Sequence, residues 1–297
     1  MTAEPSRDYV LRVDKPVGPT SHDIVSMARR AIGTRRVGHT GTLDPFASGL
    51  LLLCINRATR LAEFLTGMDK VYQGTARLDA FTDTDDHTGT ATEHHDNWRW
   101  LTRQQIEIAM NTLTGKIRQV PPVYSAKKVA GERMHRLARR GEAVAVEPVN
   151  VTVTRFDLTG IDLPNIEFEV ECGSGTYIRA LARDLGRALG TGGHLVALRR
   201  TRIGPFDLHD ALTVEQLAQP DALRRAALTP LEALAHLPRS DVDANAAARL
   251  RQGKSISVGN AVEDETTVLA SNGELVALAR VRDGLYRPFK VWKASDE

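Results

Sequence analysis

In Arg35-Arg36-Val37-Gly38-His39-Thr40-Gly41-Thr42-Leu43-Asp44-Pro45-Phe46-Ala47-Ser48-Gly49-Leu50, one acidic residue stands in a glycine-flanked loop. Basic residues lie just upstream and the apolar run Leu50–Ile55 just downstream. Pro45 pushes Asp44 out of the right-handed helical region, into an extended or turn conformation. Gly38, Gly41 and Gly49 let the backbone approach a ligand closely. His39 and Thr40 can donate and accept hydrogen bonds. Asp44 is therefore either an ordinary turn residue or a displayed carboxylate, fit to act as covalent nucleophile or general base.

Working outward, Tyr9–Val13 reads as a short strand. Lys15-Pro16-Val17-Gly18-Pro19-Thr20-Ser21 forces a turn, with Ser21 as N-cap of a helix to about Ile32, closed by Gly33. Leu50–Ile55 is short enough for a buried strand, but periodicity alone does not distinguish it from helix; Ala58–Leu65 reads as a helix and Lys70–Leu78 as a strand. Ala80–Trp98, polar and rich in Asp, Thr and His, reads as a solvated loop. Within it Asp83-Thr84-Asp85-Asp86-His87, with His94 and His95, fits neither a calcium loop nor a zinc motif; a solvated loop is the favoured reading, and a place for part of it near a catalytic cleft the alternative.

Thr102 with Gln105 signals a capping box. Gln119–Val146 opens on Pro121-Pro122 and is basic, which suggests a projecting, mobile insertion. Ile166, Phe168 and Val170 alternate with glutamates as a half-buried strand. Tyr177–Leu189 reads as a helix with Ile178, Leu181, Leu185 and Leu189 as its apolar stripe. Arg183 and Arg187 read as a solvated series on it. Pro238-Arg239-Ser240 is a candidate linker. Asn272-Gly273 and Asp283-Gly284 mark hairpins in a β-rich C-terminal part.

At 297 residues, 42% hydrophobic and 26% charged, the chain suits one large soluble domain plus a smaller one. No apolar run approaches the roughly 18 residues of a membrane span, and Met1–Val10 lacks a signal-peptide core. Cys54 and Cys172 read as reduced thiols of a cytoplasmic protein. Net charge is only +2, but its distribution is uneven. Lys127–Arg140 holds six Lys/Arg against one acid, Glu132. Arg29, Arg30, Arg35 and Arg36 form a second cluster, and Arg199, Arg200 and Arg202 a third. Clusters of this kind suit a phosphate backbone.

Gly38-His39-Thr40-Gly41-Thr42-Leu43-Asp44-Pro45, with Ala47-Ser48-Gly49-Leu50 behind it, resembles the catalytic motif of the TruB family of tRNA pseudouridine synthases. Lys15-Pro16-Val17-Gly18-Pro19-Thr20-Ser21, Gly175-Thr176-Tyr177-Ile178-Arg179 and Leu198-Arg199-Arg200 resemble three further family motifs in the same order. The match spans roughly residues 9–205.

The resemblance implies conversion of uridine 55 in the TΨC loop of tRNA to pseudouridine. It makes Asp44 the catalytic aspartate, Arg179 its partner and Tyr72 the tyrosine that stacks on the target base. Tyr177 and Leu198 would line the uridine pocket, and His39 would hold the T-loop open. Lys15, Lys127, Lys128, Arg133, Arg136, Arg199 and Arg200 are candidate RNA contacts. The implied fold is α+β: a mainly antiparallel mixed central sheet of the pseudouridine synthase type in residues 1–237, with the basic insertion at about 119–146. A PUA-like RNA-binding domain is expected over 241–297. The reading calls for no metal and no cofactor, a monomer, and tRNA gripped by its T-arm. Two rivals remain: a catalytically silent tRNA-binding or folding protein, and a glycoside-type hydrolase, which needs a second carboxylate opposite the first.

Overall fold

The computed structural model describes residues 8–124, 146–259 and 262–293, and the backbone of 128–129 and 132–133. The expected insertion falls mostly outside these residues. Lys127 and Arg136 lie outside them, and Lys128 and Arg133 are placed only as backbone, in a two-stranded pairing.

A nine-stranded sheet forms the body of the molecule. Its path runs Tyr9–Lys15, Ser48–Ile55, His194–Ile203, Lys70–Arg77, Asn165–Cys172, Val149–Asp162 and Gly115–Gln119. Ser48–Ile55 against His194–Ile203 is its one parallel ladder among the described residues, with Arg199 opposite Ser48 and Arg200 opposite Gly49. Every other pairing in this sheet is antiparallel. The mixed, mainly antiparallel sheet is the one expected.

The apolar run after the Asp44 loop is a strand buried on both faces, which is why it shows no alternation. Leu51, Leu53 and Ile55 face the Ser21–Ile32 helix and Leu212, Leu217 and Leu223. Leu50, Leu52 and Cys54 face Leu61, Leu65, Leu278 and Trp292. A third cluster joins the Arg103–Thr112 and Ile178–Leu189 helices to Ala76, Val153, Phe168 and Leu195. Cys54 and Cys172 are free and buried, and burial pushes their thiols up to about 12 and about 11.

The first helix is capped by Thr20, one residue before the expected Ser21. Thr20 accepts from the Asp23 backbone N–H, and the Asp23 carboxylate accepts from that of Thr20, a full capping box. That shift frees Ser21 for another task, described below.

A second sheet holds Arg239–Asp241, Thr266–Ser271, Glu274–Arg282, Leu285–Val291 and Ile256–Ser257 in that order. Its two tight turns are Asn272-Gly273 and Asp283-Gly284, all four residues with φ between 51° and 77°. Positive φ at both positions is the turn that matches strand twist, so the hairpin signals are met. Pro238-Arg239-Ser240 is not a free linker: Arg239–Asp241 pairs at once with Thr266–Ser271. The second sheet also shares core with the first, and Arg57 and Arg60 donate to the Lys293 and Val291 carbonyls.

Candidate active site

The Asp44 loop is pinned along its length by groups that do not touch the carboxylate. Arg200 Nη2 donates to the Gly41 carbonyl at 3.0 Å. Ser21 Oγ donates to the Leu43 carbonyl at 3.1 Å and accepts from the Leu43 N–H at 2.9 Å. Gly18 N–H donates to the Pro45 carbonyl at 2.8 Å, and Ala47 N–H to that of Asp44 at 3.1 Å. Leu43, Phe46 and Ala47 anchor the loop in the core below. A loop held this way presents its carboxylate with little left to reorganise.

Arg179, 6% exposed, sits opposite. Its Nε lies 3.0 Å from Asp44 Oδ2 and its Nη2 3.3 Å from Oδ1, a side-on bidentate pair. Nη1 donates to the Thr84 carbonyl at 2.9 Å and to Asp86 Oδ2 at 3.2 Å. Nη2 also donates to the Tyr124 carbonyl at 2.9 Å. Both Nη groups thus give both their hydrogens to acceptors, and Nε faces Asp44 Oδ2 as an ion pair, the kind of compensation a buried arginine requires.

Asp86 is the residue that sequence reasoning missed. It is 3% exposed, and its Oδ1 accepts from Thr84 Oγ1, Thr88 N–H and Thr88 Oγ1. The Asp83–His87 stretch is therefore not a solvated loop: Asp85 and Asp86 are both buried against arginines. Arg183 likewise is buried, at 8% exposed, and only Arg187 of the expected solvated pair lies open. Burial pushes the Asp44 carboxyl up from its ordinary value. Arg179 pulls it back, and the Asp86 charge pushes it up again.

Tyr72 and Leu198 lie under this loop, in one cluster with Leu43, Phe46 and Ile178. Each is 8% exposed. Burial holds the Tyr72 phenol above its usual range. Tyr177 is half-buried and ends the extended stretch before the helix. Its backbone is clamped by the Gln119 side chain, which donates to its carbonyl at 3.1 Å and accepts from its N–H at 2.9 Å. His39 stands on Val37–His39, beside Leu53. Burial and the Arg200 charge lower its pKa, so the ring is neutral near pH 7, and Nδ1 is buried with no partner among the described residues.

Two of the candidate RNA contacts are not at the surface. Lys15 is fully buried, and its Nζ donates to the Pro16, Pro19 and Pro45 carbonyls at 2.8, 2.8 and 3.4 Å. Burial pushes it down to about 8, against the pull of Asp44. Arg200, 1% exposed, holds the Leu50 carbonyl at 2.7 Å as well as that of Gly41. Both cations shape the loop from beneath. Arg199 is half-buried, with Asp14 at 2.7 Å and Ser48 Oγ at 3.2 Å. Arg30, Arg35 and Arg36 are exposed.

Solved structures share this architecture. The chain superposes on a protein in a Cbf5–Nop10–Gar1 complex with a TM-score of 0.75 at 26% identity, over 97% of this chain and 86% of that one. For an archaeal box H/ACA sRNP Nop10–Cbf5 complex the values are 0.74 and 25%, over 97% and 87%. The fold is that of the pseudouridine synthases, isomerases that rejoin a uracil to its sugar through carbon.

Residues 29–178 match the N-terminal domain of the TruB family pseudouridylate synthases, and residues 179–236 match the tRNA pseudouridylate synthase B C-terminal domain. The chain belongs to the TruB family. It is 47% identical to tRNA pseudouridine synthase B of Cutibacterium acnes, over 92% of this chain and 93% of that one. It is 44% identical to the Mycobacterium tuberculosis protein of that name, over 91% of each. The boundary between the two family segments falls inside the Ile178–Leu189 helix, so it divides sequence and not structure.

Proposed function

We propose that this protein isomerises uridine 55 in the TΨC loop of tRNA to pseudouridine, with Asp44 as the reacting carboxylate. The observation that carries the reading is the side-on Asp44–Arg179 pair at the tip of a pinned loop. Relatives bearing the name tRNA pseudouridine synthase B support the choice of tRNA.

The reaction breaks the bond from C1′ to N1, turns the uracil and closes a bond from C1′ to C5. C5 loses its proton and N1 gains one, so the product is an isomer and no redox partner is required. The target nucleotide leaves its stack first, at a cost of a few kcal/mol. A base stacked on the face of Tyr72 returns about 1–3 kcal/mol. Since Tyr72 and Leu198 are largely covered in the free protein, the pocket opens by a side-chain displacement as the base enters. Asp44 meets the nucleoside as an anion, as nucleophile or base. Arg179 sustains that charge in a partly desolvated site.

Exposed Arg30, Arg35 and Arg36 offer contacts to the phosphate backbone. Residues 241–297 serve as a PUA-like RNA-binding domain beside the catalytic domain of residues 1–237. The protein acts as a cytoplasmic monomer.

A hydrolase reading fails on Asp86. The second carboxylate is turned into Arg179 and shielded from solvent, so it cannot activate water on the opposite face of a sugar. The silent-binder reading lacks a reason for so closely satisfied an arginine beside one partly open acid.

Position is tested on a full tRNA transcript by chemical mapping of pseudouridine. One modified site is expected, at uridine 55, and none when that uridine is replaced by cytidine. Modification spread over other uridines would contradict the assignment to position 55.

The acid limb of the rate follows from the Asp44 environment. The anion is the working form, and its pKa is raised by burial and by Asp86, against Arg179 and Lys15. Activity is therefore lost, as pH falls, at a higher pH than an ordinary aspartate would give. A single-turnover pH series from about 4 to 8 checks this, and a rate still flat near pH 4 would contradict it.

A further inference from the structure

Gln119, Asp85 and Arg183 take no part in the chemistry above, yet all three are buried around Arg179. Arg183 stands one helical turn after it. Arg183 Nη1 meets Asp85 Oδ2 at 2.8 Å, Nε meets Asp184 Oδ1 at 2.9 Å, and Nη2 donates to the Val120 carbonyl at 2.8 Å. Arg179 donates to the Tyr124 carbonyl, four residues further along the same segment. Gln119 holds both backbone groups of Tyr177. Residues 119–124 thus form a strap, fastened at three points to the start of the Ile178–Leu189 helix.

The strap is built for this. Pro121 and Pro122 bring no N–H and keep the backbone extended. Val120 and Val123 are each 39% exposed, so apolar side chains turn outward while carbonyls turn to the arginines. The same two arginines grip the acidic turn. Asp85 has φ 61°, and the neighbouring carboxylates diverge, Asp85 to Arg183 and Asp86 to Arg179. An open cleft of about 330 Å³ runs between strap, turn and helix.

We infer that Asp85 and Arg183 are positioning residues for the isomerisation, fixing the strap whose Tyr124 carbonyl keeps Arg179 side-on to Asp44. The inference rests on the proposed role of Asp44. Nη2 of Arg179 carries two hydrogens, one given to Asp44 and one to Tyr124. With the strap released, that second hydrogen turns to water and the guanidinium swings toward Asp86. The charges facing Asp44 are Arg179 from the helix, Asp86 from the turn and Lys15 from the first strand. Lys15 Nζ is held by proline carbonyls, so it cannot replace Arg179 at the carboxylate.

Carboxyl-carbon NMR on the full-length free protein reads Asp44 directly, its signal identified by its loss in Asp44→Asn. In Asp85→Asn and Arg183→Gln the Asp44 midpoint is expected to rise by about one pH unit. The single-turnover rate on a T-arm RNA should fall about tenfold, with RNA affinity within about twofold of wild type. Arg183→Lys keeps the charge beside Asp85 but is too compact to reach Val120 as well. It stands in should Arg183→Gln fail to fold, and is expected to show a smaller rise. Thermal unfolding verifies the fold of each variant. An Asp44 midpoint unmoved in folded variants would overturn the inference, whatever the rate does. Because NMR needs no substrate, a wild-type protein inactive on tRNA would sink the functional proposal and leave this test decided on its own.

Discussion

Asp44→Asn is expected to lower pseudouridine formation by at least about three orders of magnitude, some 4 kcal/mol of transition-state stabilisation. The amide is nearly isosteric, so the change removes charge and little else. Arg179 keeps Asp86 as its counterion, and the Thr84 and Tyr124 carbonyls still accept from it. The loop does not depend on the carboxylate, since Ser21, Gly18, Arg200 and Lys15 hold its backbone. The variant should fold as wild type and bind T-arm RNA within about threefold, because the basic residues proposed to meet the phosphates lie elsewhere. Single-turnover product analysis beside a filter-binding titration separates the two effects. Loss of binding in step with activity would show that Asp44 shapes the site and does no chemistry.

Gly49→Ala should have the largest effect on the fold. Gly49 has φ 105°, and an added Cβ would lie 2.6 Å from the Arg200 backbone nitrogen and closer still to its carbonyl oxygen. Those atoms belong to the parallel ladder joining the strand after the Asp44 loop to His194–Ile203, so they cannot move aside as a flexible side chain would. Left-handed strain and overpacking together give a loss of about 3–5 kcal/mol. Gly18→Ala is the control. Its φ is 111° but nothing lies within 4 Å, so strain alone acts, at about 1–2 kcal/mol. Urea unfolding of both variants tests the comparison, and equal losses would contradict it.

The two glycines show what a sequence can disclose. Glycine-flanked Asp44, the unbroken Leu50–Ile55 run, the alternation around Phe168 and the Asn-Gly and Asp-Gly turns are local signals, and the structure follows each. Charged residues were legible only as charges. Asp85 and Asp86 meet Arg183 and Arg179 across more than 90 residues of chain, and no local pattern links them. Arg183 shares its spacing with Arg187, and the i+4 interval cannot tell a buried edge from an open one. A hint lay in Ala180, Ala182 and Gly186, small residues that let the helix sink in deeply enough to bury its arginines. Lys15 and Arg200 were open to the same error. A cation next to a proline-rich turn or an apolar strand can neutralise a phosphate or collect backbone carbonyls, and here both do the second.

Asp44, sustained as an anion by Arg179, is proposed to isomerise a uridine of the T-arm. Chemical mapping of pseudouridine in T-arm RNA tests it most directly, with wild type and Asp44→Asn run side by side and free uracil assayed in the same samples. One pseudouridine per RNA is expected from the wild type, none from the variant, and no free uracil from either. Pseudouridine made by Asp44→Asn at the wild-type rate, or uracil released by the wild type, would contradict the proposal.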